Sequence, residues 1–250
     1  MLFHPFLLGL LYLGFFELYF LFTNNKLLVG VYFVALVIYT AVRLLFHVGE
    51  ALVRRWVLVT FFLLLFVFVT MYVSVIEVAW LRHVGGIGFS IFTSFLVLLL
   101  STGKGDIRAR PRSFVSATYL TGLLLMLFSS SFFHSLKLFL TVRQIGWPIL
   151  VALIHAVIVY LLFLSLRIPS RGIIPATLVT FIASFQLFWV VEFLPFGALT
   201  LGLLHVIPLS LYVMFERDRL LDDVRPQEYI RFALEACALV VVILFFTRWN

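Results

Sequence analysis

Residues 57–76 read VLVTFFLLLFVFVTMYVSVI, twenty positions without a charge. A helix crossing the hydrocarbon core of a bilayer needs roughly 20 mainly apolar residues, at about 1.5 Å of rise each. The rest of the chain is built alike. Of its 250 residues 64% are hydrophobic and 12% charged, where soluble domains carry about 45–50% and about 25%. The mean hydropathy is +1.19. Too little polar surface exists to face water, so lipid is the expected solvent. This composition excludes a soluble enzyme, a disordered chain and a disulfide-stapled secreted domain. The single cysteine, Cys237, permits no internal disulfide.

Working outward, further apolar windows fall at 3–22, 27–46, 57–81, 86–101, 114–136, 146–166, 174–194, 198–215 and 230–247. They predict an all-α polytopic membrane bundle of about nine transmembrane helices. The fourth window is short and opens with Gly85, Gly86 and Gly88, which predicts a tilted or broken span. Ser129, Ser130, Ser131, His134 and Lys137 dilute the outer end of the fifth. The first run begins at residue 2 with neither a basic flank nor a small-residue cleavage site, and reads as a retained helix.

The basic residues orient this bundle. Thirteen of the 18 Lys and Arg fall at one set of connections, from Arg43, Arg54 and Arg55 to Arg225 and Arg231. Only Lys26, Arg82, Lys137, Arg143 and Arg248 fall at the other. Lys/Arg bias marks the cytoplasmic side, which predicts the N-terminus inside and the C-terminus outside, in a bacterial inner (plasma) membrane. The net charge of +7 is then a topology signal, and no nucleic-acid partner is expected.

An internal repeat is also suggested: an apolar helix with a glutamate near its outer end, a turn, a returning helix with a small residue, then a basic linker. Glu17, Gly30 and Arg43 make one such set, Glu77, Gly88 and the 104–112 cluster a second, and Glu192, Gly202 and Arg217 another. A unit lacking the glutamate has serines and His134 in its place, with Ala152-Leu153-Ile154-His155 beside Gly202-Leu203-Leu204-His205 of the last. One transmembrane domain over 1–250 is expected, built from four tandem hairpins (1–56, 57–113, 114–173 and 174–229) and a capping helix, 230–247. Gly9, Gly14, Gly30, Gly88, Ala152 and Gly202 are expected at close helix contacts.

Groups with chemistry are few. Glu17, Glu77, Glu192 and Glu235 lie inside predicted spans, and the other seven acids lie in inner linkers. An ionisable group at membrane depth is costly and points to a functional site, unless it pairs structurally or reaches the interface. Arg82 and Lys137 are available as counter-charges, and Arg231 stands four residues before Glu235. His155 and His205, at matching mid-membrane positions, admit three readings: two ligands of one haem iron, a proton relay, or hydrogen bonds to neighbouring helices. Pro195 ends the seventh span. Pro208, three residues past His205, is expected to kink the eighth and free a carbonyl there. Glu192, Pro195, His205 and Pro208 together form the best candidate binding site.

Catalysis finds little support. Ile91 replaces the second glycine of an intramembrane protease's G-x-S-G after Gly88-Phe89-Ser90, and the last spans hold no lysine for a Schiff base. No clustered metal ligands or nucleotide motif occurs, so an enzyme, a metal site and a resident cofactor are not expected. The leading expectation is a small transporter or channel-like protein whose outward-facing polar site uses Glu17, Glu77, Glu192, His155, His205 and Pro208. The alternative is a non-catalytic membrane subunit or scaffold, with Lys104, Arg108, Arg110 and Arg112 docking anionic lipid or a partner subunit. A bis-histidine haem electron-transfer subunit stands third.

Overall fold

A computed structural model describes residues 3–21, 26–47, 52–76, 79–102, 110–139, 146–166, 168, 170–220 and 226–247. It is all-helical: 95% helix, without strands, among the described residues. Nine helices follow in order: α1 (Phe3–Leu21), α2 (Lys26–His47), α3 (Leu52–Val75), α4 (Ala79–Thr102), α5 (Arg110–Phe139), α6 (Gly146–Ser165), α7 (Ser170–Val191), α8 (Ala198–Leu220) and α9 (Pro226–Phe246). Six of them, α3 to α8, are long and apolar enough to cross a membrane over their described residues, whereas the described apolar portions of α1 and α2 are shorter.

The third and fourth helices depart from expectation. α3 stops at Val75, short of residue 81, and α4 begins at Ala79, so the glycine triplet lies inside a helix and breaks nothing. At the end of α3 the Ile76 amide donates to the Val73 carbonyl at 3.3 Å, and Arg82 Nε donates to the Ile76 carbonyl. A side chain from the next helix thus caps an orphan carbonyl that would otherwise sit in apolar surroundings. α7 ends as expected near Pro195: after Val191 the chain turns through Glu192–Leu194, and α8 opens at Ala198.

The chain forms two compact units, Met1–Thr121 and Gly122–Asn250, whose boundary falls within α5. In the first, α1 packs on α4 and α2 on α3. Lipid tails are as apolar as leucine, so helices in a bilayer associate through close packing and hydrogen bonds, with no gain from leaving water. Aromatic rings supply the packing. Tyr12, Phe15, Phe16, Phe62, Phe66 and Phe89 are buried, and Tyr12 meets Phe62, Phe66 and Phe89 edge-on at 4.8–5.6 Å. The Tyr12 hydroxyl is satisfied by Thr40 at 2.9 Å.

Glycines sort by what faces them. A Cβ on Gly9 would run into the Ser94 hydroxyl and lie 2.8 Å from the Ser90 carbonyl oxygen, whereas Gly30 and Gly88 face open space. The expectation of close contacts therefore holds at Gly9 and fails at Gly30 and Gly88. Gly9→Val is expected to destabilise the protein by about 1–3 kcal/mol through overpacking. Gly88→Ala is expected to be neutral or to stabilise by up to about 1 kcal/mol through helix propensity. Thermal unfolding of the two purified variants in detergent separates them.

The second unit places α6 along α7, α7 on α8 and α8 on α9. Val191, Phe196, Leu201 and Leu204 form a buried cluster against which Val240 and Leu244 of α9 pack. Pro226 opens α9, where its missing N–H costs nothing. α6 shows how this unit is layered: Ile149, Leu153, Val157, Tyr160 and Leu164 form an exposed stripe, opposite buried Val151, Ala152, His155, Val159 and Leu162. Both faces are largely apolar, and His155, with Ser165 at the helix end, marks the inner one.

Candidate functional site

Four helices of the second unit converge on a buried polar centre. Successive residues of a helix are turned by about 100°, so three serines in a row address three directions. Ser129 faces α6, with its Oγ 3.3 Å from His155 Nε2. Ser130 faces α8, 2.8 Å from His205 Nδ1. Ser131 abuts Gly202 of α8. Ser184 of α7 stands between the histidines, 2.9 Å from His155 Nδ1 and 3.1 Å from His205 Nε2. All six of these polar side chains are fully buried, and the two imidazole centroids lie 4.9 Å apart.

Chemistry sets the direction of these bonds. The Met126 carbonyl, 3.2 Å from His155 Nε2, can only accept, so that nitrogen carries a proton. A neutral imidazole has one donor and one acceptor, which makes His155 Nδ1 the acceptor of the Ser184 hydroxyl proton. Ser184 Oγ, having donated once, accepts from His205 Nε2. His205 Nδ1 then accepts from Ser130. The result is one directed chain: Ser130 to His205 to Ser184 to His155 to the Met126 carbonyl. Ser129 closes it by donating to the same carbonyl at 3.0 Å. Bonds aligned head to tail polarise one another, and no carboxylate bonds to either ring among the described residues.

Polar groups extend on both sides. His134 stacks on Phe188 with centroids 4.1 Å apart and planes 8° from parallel, and meets His205 edge-on at 6.5 Å. One turn further along α5, Lys137 pairs with Glu192 just beyond α7. In the other direction Thr180 is buried four residues before Ser184 and donates to the Ala176 carbonyl at 2.8 Å. Tyr212 of α8 donates to that carbonyl at 3.4 Å, and Glu216, one turn on, is held by Arg219 at 2.7 Å. Positions 192, 188, 184, 180 and 176 form one i, i+4 row along α7 and its C-terminal turn, about 24 Å long by helical rise.

Two atoms in the centre are left over. Ser131 Oγ and His134 Nε2 are buried without a hydrogen-bond partner. Leaving such a group dry costs about 1–3 kcal/mol.

The expected site residues are thus dispersed and partly regrouped. His155 and His205 meet through Ser184. Glu192 is taken by Lys137, Glu17 by His83 of its own unit at 2.9 Å with both side chains about 40% exposed, and Glu235 by Arg231 at 2.8 Å. Pro208 lies within α8 and is exposed, away from the buried face that carries His205. Glu77, Lys104 and Arg108 lie outside the described residues, as do the side chains of Arg110 and Arg112, which stand in the first turn of α5. Ser129, Ser130, Ser184 and Met126 enter the site without having been singled out, although a hydroxyl inside an apolar span was the available signal.

Each ring nitrogen of His155 and His205 is already engaged, and Ser184 bridges the space between the rings. Iron ligation by this pair would break bonds on both rings and displace that bridge. Among the described residues no group of three or more His, Cys, Asp or Glu is placed to hold a metal ion. Nothing among known protein families, curated proteins and solved structures matches this chain.

Proposed function

We propose that this chain is a multi-pass integral membrane protein that passes protons along the histidine–serine chain of its second unit. Six membrane-length apolar helices support the setting. The single observation that carries the reading is the unbroken donor–acceptor sequence from Ser130 to Met126 through two buried imidazoles. A proton needs no cavity, which suits a centre where both histidines are 0% exposed; a larger solute does need one. This narrows the transporter reading from a glutamate-lined site to a histidine relay with Glu192 and Lys137 at its outer end.

Balance is simple. One proton delivered from water to His205 Nδ1 displaces the Ser130 hydrogen bond, the Nε2 proton of His205 moves to Ser184, the Ser184 proton moves to His155 Nδ1, and the Nε2 proton of His155 is released to a water molecule that must reach the Met126 side. Ring and hydroxyl reorientation then restores the starting direction. Intramembrane histidine chains suit such relays.

The test is proton uptake by liposomes containing the purified protein and a trapped pH-sensitive dye, driven by a potassium diffusion potential. Acidification well above that of protein-free liposomes is expected. A rate equal to theirs, in either direction of the potential, contradicts the proposal. That result favours the second reading, a non-catalytic subunit in which the same bonds lock α5 to α8. The full satisfaction of all four ring nitrogens is the observation on its side.

A further inference from the structure

Of the buried side-chain nitrogen and oxygen atoms among the described residues, Ser131 Oγ and His134 Nε2 are the two without a partner. They belong to one helix at a spacing of three, which sets both on the same face of α5. That face meets α8: Ser131 lies against Gly202, whose missing side chain leaves room for the close approach, and His134 meets the edge of His205. Phe188 covers the other side of the His134 ring. Two unpartnered hydrogen-bonding side chains therefore stand together on the face of α5 that meets α8.

We infer that Ser131 and His134 together hold a single water molecule, and that this water is the outer entrance to the histidine chain. Buried waters occur where otherwise unsatisfied polar groups converge, and they bond to two or more of them. Here the Ser131 hydroxyl donates to the water, and the water donates to His134 Nε2. The Glu192–Lys137 pair lies one turn of α5 beyond His134, and the His205 ring stands edge-on to His134 at 6.5 Å, which sets the water on the ion-pair side of the relay. This assignment rests on the relay proposed above for its role, and on the two unpartnered atoms alone for its existence.

The experiment uses the full chain, labelled with ¹⁵N-histidine, in lipid nanodiscs. Magnetisation is transferred from water to the imidazoles by NMR, in the wild type and in Ser131→Ala. Transfer to His134 in the wild type, reduced at least severalfold in Ser131→Ala while the His155 signal keeps its shift, is the expected result. No transfer to His134 in the wild type overturns the inference without recourse to any variant. Equal transfer in both proteins overturns it as well, because the water would then not be held by Ser131. A bound water together with zero proton flux removes the relay and leaves the water site, so the two ideas fail separately.

Discussion

Ser184→Ala is expected to reduce proton uptake by about tenfold or more, the factor that about 1.4 kcal/mol of added barrier represents. Among the described residues the serine hydroxyl is the only group that bonds to both imidazoles, at 2.9 and 3.1 Å. Removing it leaves one acceptor on His155 and one donor on His205 facing a methyl group. Each ring retains its other partners: Met126 and Ser129 for His155, Ser130 for His205. The cost to stability is therefore that of two buried groups left unpaired, about 1–3 kcal/mol each at most, and the variant is expected to fold. Ser184→Thr keeps a hydroxyl at the same point and is expected to retain most of the flux. A stable Ser184→Ala protein with wild-type uptake would remove the relay.

Gly202→Val is expected to destabilise the fold and to weaken the relay together. A Cβ there would collide with the Ser131 hydroxyl and lie 3.1 and 3.2 Å from the Ser131 amide nitrogen and Cα. Backbone cannot swing aside as a side chain can, so α5 and α8 must separate. Overpacking of this kind costs about 1–3 kcal/mol, and a β-branched side chain falls at the upper end. The Ser130–His205 bond, 2.8 Å long and one residue away, lengthens with the separation, so proton uptake falls too. Gly197→Ala, where the structure leaves open space, serves as the control. Thermal unfolding in detergent should show a lowered midpoint for Gly202→Val and none for Gly197→Ala.

The sequence carries the helical class in its composition, and the windows located each helix to within a few residues except between 76 and 86, where α3 stops at Val75 and α4 already begins at Ala79. There the apolar run continues through Ile76, and Arg82 reaches back to the Ile76 carbonyl where α3 has ended. That contact has no signature in hydropathy. His155 and His205 stood out as polar groups in apolar spans, and the structure joins them. Their partners were hidden for a physical reason. On a helix such as α6, apolar on its lipid face and its buried face alike, periodicity does not say which way a side chain points. Ser129, Ser130 and Ser131 weaken the hydropathy of a span, yet they are buried because each meets a different neighbour on α6 or α8. The glutamates stood out for the opposite reason: a charge in an apolar stretch is conspicuous even where, as for Glu17 and Glu235, a nearby cation takes it up.

One hydroxyl, that of Ser184, joins two histidines into a chain of a single direction. The ¹⁵N chemical shifts of His155 and His205 in the lipid-embedded protein test it most directly, since they report which ring nitrogen carries the proton. Neutral rings are expected, both protonated at Nε2, each with Nδ1 as hydrogen-bond acceptor. A proton on Nδ1 of either ring would point that ring the wrong way, break the sequence at Ser184, and contradict the account.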